Sequence, residues 1–223
     1  MKLKHYEWEH EITIGDGQTS IIAIEDPDIF RQYVKDLFLQ ISGFDGPFVL
    51  SDGISEKNIK DSMVFITNPL SIEAEDRRIK TKLASMLKDL IQSEDMLQDE
   101  MMLRNAFEFF KAKIQENLPY KITFADYDAG SLVKFLDFSV ETEFESDMEK
   151  LLEYLNLMND ICQIGCFVFI NLLSFFNHED LITFFSECQS LKHSLILIEN
   201  HNPDNNFLTA KHIVIDRDKC ELF

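Results

Sequence analysis

Phosphate contacts need cations that no acid of the same chain neutralises, and the residues best placed to offer them lie between positions 77 and 82. Arg77, Arg78, Lys80 and Lys82 form the densest basic cluster in a chain with 21 basic and 40 acidic residues. Glu73 to Arg77 and Asp76 to Lys80 are favourable pairs four residues apart on a helix. Arg78 has Ala74 at that spacing and Lys82 has Arg78, so the face they share has no such acid. Two cations one turn apart suit contacts to a phosphate backbone. Lys57, Lys60 and Lys88 are the further basic candidates. A second set of side chains could bind a hard cation. Asp126, Asp128, Glu141 and Glu143, with Glu145 and Asp147 beyond them, sit where helices are expected to join, and loop carboxylates suit calcium or magnesium. The EF-hand pattern is absent, and an ordinary solvated acidic surface explains the same residues.

Other chemistries are poorly served. Nucleotide hydrolysis needs backbone amides around phosphate and a lysine upon it. The seven glycines include no GxxxxGK[ST], and Asp45 between Gly43 and Gly46, with Asp52 beyond them, would repel phosphate. Glu199, ending an apolar run, reads as a strand-end acid. His193, His201 and His212 lack the spacing of a zinc site, and no Ser/His/Asp or Cys/His order stands out. The four cysteines form no CxxC and read as reduced thiols, three of them in or beside apolar stretches.

These residues need a scaffold, and its centre lies late in the chain. Residues 166–173 and 194–198 are nearly unbroken apolar runs, as in strands buried on both faces. Between them, Asn177 can cap a helix on which Leu181, Ile182, Phe184, Phe185, Cys188 and Leu191 recur at helical spacing. Two strands and one helix make a parallel crossover unit. At the other end, residues 2–8, 11–14 and 20–24 predict short strands. Asp26–Pro27 opens a helix carrying Ile29, Tyr33, Val34, Leu37 and Ile41, and residues 48–50 and 63–67 are further strands. Between Pro69 and Pro119 there is neither Pro nor Gly, which predicts one very long helix or two broken near Ser93 to Asp95. Residues 121–124 read as extended, 129–138 and 145–161 as helices, and 212–215 as a last strand. The expected architecture is α/β. Residues 1–70 and 162–223 form a parallel-sheet head, ATPase-like but without a working phosphate loop, and residues 71–161 form a helical leg.

A charge of −19 favours a self-repelling surface and argues at face value against anionic partners. The N-terminus shows no apolar signal segment, and the stretch 161–176 is too short and too polar for a membrane span. Both point to a cytoplasmic protein that uses no membrane.

The order of parts resembles a known family. The strand-rich start ending in IIAIEDPDIFRQYVKDLF (Ile21 to Phe38) is followed by the helical insertion. SLVKFLDFSVETEFESDMEKLLEYL (Ser131 to Leu155) comes next, then CFVFINLLSFFNHEDLITFF and SLILIEN. Together they resemble the accessory protein of type II-A CRISPR systems that is needed to acquire new spacers. The resemblance implies a non-enzymatic homotetrameric ring that binds calcium and threads onto double-stranded DNA ends through a positively lined hole. Its partners would be other CRISPR adaptation and effector proteins. The site residues it would use here are Arg77, Arg78, Lys80, Lys82, Lys88, Lys57 and Lys60 for DNA, and Asp126, Asp128, Glu141 and Glu143 for calcium. The alternative is an acidic protein-interaction scaffold that never meets DNA.

Overall fold

The computed structural model describes residues 1–72, 76–141, 144–203 and 210–222. Along the chain, β1 (Lys2–His5), β2 (Ile12–Thr13) and β3 (Thr19–Ile24) lead into α1 (Pro27–Ile41). Asp26 caps α1 from an extended backbone, its Oδ1 accepting from the amides of Asp28 at 2.9 Å and Ile29 at 3.0 Å. Next come β4 (Phe48–Ser51), β5 (Glu56–Lys57), α2 (Ile59–Ser62) and β6 (Val64–Ile66). The long helical stretch divides into α3 (Arg77–Ile91) and α4 (Leu97–Glu116), with a 3-10 turn at Glu94–Met96 between them. Then follow α5 (Ala129–Leu136), α6 (Asp147–Cys162), β7 (Cys166–Ile170), α7 (His178–Ser190), β8 (Ser194–Glu199), β9 (Ala210–Ile215) and β10 (Glu221–Leu222).

The strands form two sheets. One is antiparallel, in the order β2-β1-β4-β5, and the other runs β10-β9-β3-β8-β7-β6. In the second, β6 to β9 and β3 pair in parallel and only β10 is antiparallel, a hairpin partner to β9. β7 and β8, joined by α7, are the expected crossover pair. Every residue of β3, β7 and β8 is buried, which explains their continuous apolar sequence. β7 stops at Ile170, short of the apolar run's end. Asn171 adopts φ 53° there, and residues Leu172–Ser174 turn away as a 3-10 helix.

Period-two alternation sorts the sheet's side chains. Ile22, Ile24, Val168, Ile170, Ile196 and Ile198 share one core with Tyr33 and Leu37 of α1 and with Leu3, Trp8 and Leu50 of the antiparallel sheet. On the opposite side α7 buries Leu181, Phe184, Phe185 and Cys188, with Phe184 edge-on to Phe169 at 6.0 Å. Truncating a phenylalanine in such a core costs about 3–5 kcal/mol.

The chain divides into two compact units, Met1–Ala74 with Glu143–Phe223, and Glu75–Thr142. This differs from the expected leg of 71–161: α6 belongs with the sheets. Its Leu151, Leu155 and Met158 are fully buried, and it packs on α7 and on the 3-10 turn Pro69–Ser71. Helical periodicity identified α6 as a helix but carried no information about which core its apolar face enters.

Gly17 marks one close approach within the sheet unit. Its φ is +72°, and a Cβ there would lie 2.6 Å from the carbonyl oxygen of Gln189 at the end of α7. Gly53 has φ +90° but nothing within 4 Å of the same point. Gly17→Ala should therefore lower stability by roughly 2 kcal/mol or more and Gly53→Ala by about 1 kcal/mol. Urea denaturation of both variants checks the order, and equal losses would mean that the Gln189 contact contributes nothing.

Candidate nucleic-acid interface

α3 begins at the cap residue Asp76, whose Oδ1 accepts from the Arg78 amide at 2.7 Å. The helix buries one side: Ile91, with Ala84 and Leu87, packs on Ala129, Val133, Leu132 and Phe138 of α5 and its C-terminal end. Arg77, Arg78, Lys80, Lys82 and Lys88 are all exposed. At 3.6 residues per turn, Arg78 and Lys82 share the face away from α5, which continues through the exposed Ser85 to the exposed Asp89. The cationic row therefore spans two turns and ends at an acid.

The geometry corrects one expectation. Arg78 has a partner, because its Nε lies 3.7 Å from Asp76 Oδ1. The spacing is two residues instead of four, so a helix-pair count misses it. A pair this exposed holds its cation weakly, at about 0–1 kcal/mol. Among the described residues, Arg77, Lys80, Lys82 and Lys88 form no ion pair. Glu73, the expected partner of Arg77, lies outside the described residues.

Lys57 and Lys60 belong to the other unit. They line a cavity of about 410 Å³ together with Gln40, Asp45, Glu56 and Asn58. Lys57 is committed to Asp52 at 2.8 Å. Its ammonium, then the amides of Ser55 and Ile54, hold the Asp52 carboxyl well below the usual carboxylate range. With Asp45 and Glu56 beside them, these two lysines make a mixed-charge cleft, unlike the α3 row.

The described acids of the joint do not converge. Asp126, Asp128 and Glu141 are exposed. Asp128 caps α5, accepting from the Ser131 hydroxyl and, at 3.1 Å, from its amide, and these bonds lower its pKa. Among the described residues no three His, Cys, Asp or Glu side chains are grouped to hold a metal ion. Glu143 lies outside the described residues. The carboxylates that are described therefore do not fit a calcium site by themselves.

Acids stand at the carboxyl ends of two strands of the parallel sheet. β3 runs through Glu25 and Asp26 straight into α1, whose first free amides are already taken by Asp26. The next strand, β8, ends in Glu199, which is fully buried, with Oε1 accepting from the Leu173 amide at 3.3 Å and Oε2 without a partner. Histidines are individually engaged: His193 meets Asn156 Oδ1 at 2.8 Å, and His5 Nδ1 accepts from the Glu7 amide at 3.2 Å. Burial lowers the pKa of both rings, keeping them neutral at pH 7.

Residues 40–219, most of the chain, match the family model described as CRISPR-associated protein (Cas_Csn2). The chain belongs to that family. Its type is the II-A CRISPR-associated Csn2 protein, as the order of strand-rich start, helical insertion and late parallel strands suggested. Comparison with individual curated proteins gives no match. The matched span of this Csn2-family chain takes in all of α3, the acidic joint and the strands β6 to β9. No helix among its described residues is long and apolar enough to cross a membrane.

One feature of this Csn2-family chain escaped the sequence reading. α4 buries none of its residues, although Met102, Phe109 and Phe110 stand 57%, 66% and 62% exposed. The available signal was the crowding of apolar side chains into residues 101–110, which reads equally as a core-facing stripe.

Glu199 supplies a pH test. Burial, its main cause, raises the carboxyl from 4.5 to about 7, with the Leu173 and Leu172 amides opposing. The unfolded chain gives up this proton near 4.5 while the fold retains it up to about 7. Stability is thus lost as pH rises through that window and stays level above it. Glu199→Gln, which never ionises, should gain about 2–3 kcal/mol relative to wild type between pH 4 and pH 8. Denaturation curves at both pH values check this. A pH-independent difference would mean that Glu199 ionises freely in the fold.

Proposed function

We propose that the protein is a non-enzymatic, sequence-independent binder of double-stranded DNA ends, assembled as a homotetrameric ring, that serves CRISPR spacer acquisition in the cytoplasm beside other adaptation and effector proteins. The observation that carries the reading is the placement of cations on α3, in a chain of the Csn2 family. Four of the 21 basic residues fall at Arg77, Arg78, Lys80 and Lys82, in the first turns of the helix, and no acid follows the cap there. That is the end where the helix dipole is positive, so cations are unfavourable for stability by about 0.3–1 kcal/mol each. A phosphate would relieve both the dipole and the side-chain charge.

The mechanism is backbone neutralisation. Each Lys or Arg that contacts a phosphate releases a condensed counterion, and the helix carries no side-chain array suited to reading base edges in register. The acidic remainder of the surface repels duplex, which confines contact to the basic row. A closed ring supplies preference for ends, because only an end can enter it. A competing reading, an acidic protein-binding scaffold, is favoured by the exposed apolar residues of α4.

Binding should have little sequence preference, should fall steeply with salt, and should require a free end. The log–log slope is about −0.9 for each phosphate contact. Changing Arg78 and Lys82 together to Glu should weaken binding to all linear duplexes alike and flatten that slope, with the melting temperature within about 2 °C of wild type. Titrations of linear and closed-circular duplex over a salt series check this. Equal affinity for the circle removes threading. Unchanged affinity in the double variant moves the DNA surface off α3, and no binding to linear duplex at low salt favours the scaffold.

A further inference from the structure

We propose that the cleft lined by α1, β4, β5 and α2 docks a short basic segment of a partner protein, laid in extended form along β5. This goes beyond the DNA reading and does not rest on it, because the cleft lies wholly in the sheet unit and takes in no residue of α3.

The cleft has fixed walls. Gln40 of α1 grips β4 with both ends of its side-chain amide. Its Nε2 donates to the Phe48 carbonyl at 2.9 Å, and its Oε1 accepts from the Phe48 amide at 2.8 Å. The loop from Gly43 to Gly46 passes close to this clamp. A Cβ on Gly46 would lie 2.6 Å from Gln40 Cγ, so a larger residue there would push the clamp aside. Asp52 holds the turn into β5 by accepting from the amides of Ile54 at 2.9 Å and Ser55 at 2.8 Å, and Asn58 caps α2 on the Lys60 amide at 3.0 Å. The cavity measures about 410 Å³, room for a few residues of peptide.

The charges inside it select the occupant. Lys57 is already neutralised by Asp52 at 2.8 Å. Asp45, Glu56 and Lys60 are exposed, line the same cavity, and form no ion pair with any described residue. Lys60 is laid against the backbone at Gly43, its Nζ 3.3 Å from the point a Cβ would take there. Two free acids thus share the cleft with one free base, in a chain of charge −19, so an occupant that completes the cleft is net cationic. The same balance disfavours a nucleic-acid strand. Phe44 and Val49 also line the cavity, 64% and 46% exposed, and call for an apolar side chain beside the cations.

β5 supplies the extended form. It is the outermost strand of the antiparallel sheet, and no described strand pairs with its free side. The neighbouring length of β4 is closed by the Gln40 clamp, which leaves β5, with Glu56 and Lys57, as the open edge in the cleft. Extended peptides bind such edges by main-chain hydrogen bonds, and the side chains around the edge give selectivity.

Fluorescence anisotropy on the full-length protein tests this with three labelled pentapeptides blocked at both ends: Ala-Arg-Leu-Arg-Ala, Ala-Glu-Leu-Glu-Ala and Ala-Arg-Ser-Arg-Ala. The first should bind, the second should not, and the third should bind about threefold more weakly for want of an apolar contact. Changing Asp45 and Glu56 together to Lys should weaken the first peptide about tenfold or more. Both positions are exposed, so the melting temperature should stay within about 2 °C. The same charge change placed on α7, Glu179→Lys with Glu187→Lys, should weaken it less than about threefold. Equal loss in that control, or no binding of the first peptide, overturns the proposal. So does a single-stranded oligothymidylate that binds the protein and is lost in Lys60→Ala, which would give the cleft to nucleic acid. Linear duplex still bound while the peptide is not would remove the cleft and leave the DNA reading standing.

Discussion

Three strands with no exposed residue, β3, β7 and β8, impose a condition on the rest of the chain. A parallel sheet leaves no backbone group free along these strands, but it presents two apolar faces, and each must be covered. The chain meets the condition unequally. One face is covered by α1 together with a separate antiparallel sheet, so that Leu3, Trp8, Phe48 and Leu50 enter the same core as Ile196 and Ile198. The other face is covered by α7, whose Phe184 stands edge-on to Phe169. Much of the surrounding detail follows from this enclosure. Burial raises the Glu199 carboxyl to about 7, although the Leu173 amide donates to its Oε1. His193 is held by one asparagine because its ring lies among aromatic carbons, 5.6 Å from Phe167.

Enclosure also explains how distant parts of the chain meet. Glu221 of β10 accepts from the amides of Glu9 at 2.7 Å and His10 at 3.0 Å. Lys219 reaches Glu7 at 3.2 Å, and Glu7 in turn accepts from Tyr33 at 3.0 Å on α1. The two ends of the sequence are therefore bonded to each other and to the first helix. Nearly the whole chain lies between them, including the unit of α3 to α5. Closing so long a loop costs entropy that grows only slowly with its length, by about 0.6 kcal/mol per doubling. A long helical excursion can thus be carried between β6 and α6 at little cost to the sheet unit.

Parts of this were legible in the sequence, for reasons that differ by element. β7, α7 and β8 were readable because burial on both faces leaves a compositional mark that no half-wet strand shares. Asp26–Pro27 was readable because capping is local chemistry. The break between α3 and α4 was one of two readings the sequence left open, placed near Ser93 to Asp95, where three polar residues interrupt the stripe. β5 and β10, with two residues each, carry no pattern long enough to see. The unit to which α6 belongs was not readable, because an amphipathic face does not name its partner. At the candidate interface the sequence picked out α3 and its exposed cations. It missed the Arg78–Asp76 pair, whose spacing is set by a cap and not by a helical turn. The acids of the joint were visible as composition, but convergence is a property of three dimensions, and the described ones do not converge.

The two remaining surfaces of the helical unit solve different problems with the same 20 amino-acid types. On α3 the apolar side is satisfied within the chain, by α5, so its outward residues are free to be chosen for charge. They are placed against the helix dipole, a choice that stability alone would not make. On α4 the charges agree with the dipole, and it is the apolar residues that go unsatisfied within the chain. A helix stabilised only by local pairs such as Glu100–Arg104 and Glu108–Lys111 gains about 0.2–0.5 kcal/mol from each. That is small against the apolar area of Met102, Phe109 and Phe110 left in water, at about 25 cal/mol for each Å². Local energetics therefore account for the helix but not for the identity of its exposed side chains. Those side chains carry a cost in the isolated chain that only a second surface removes.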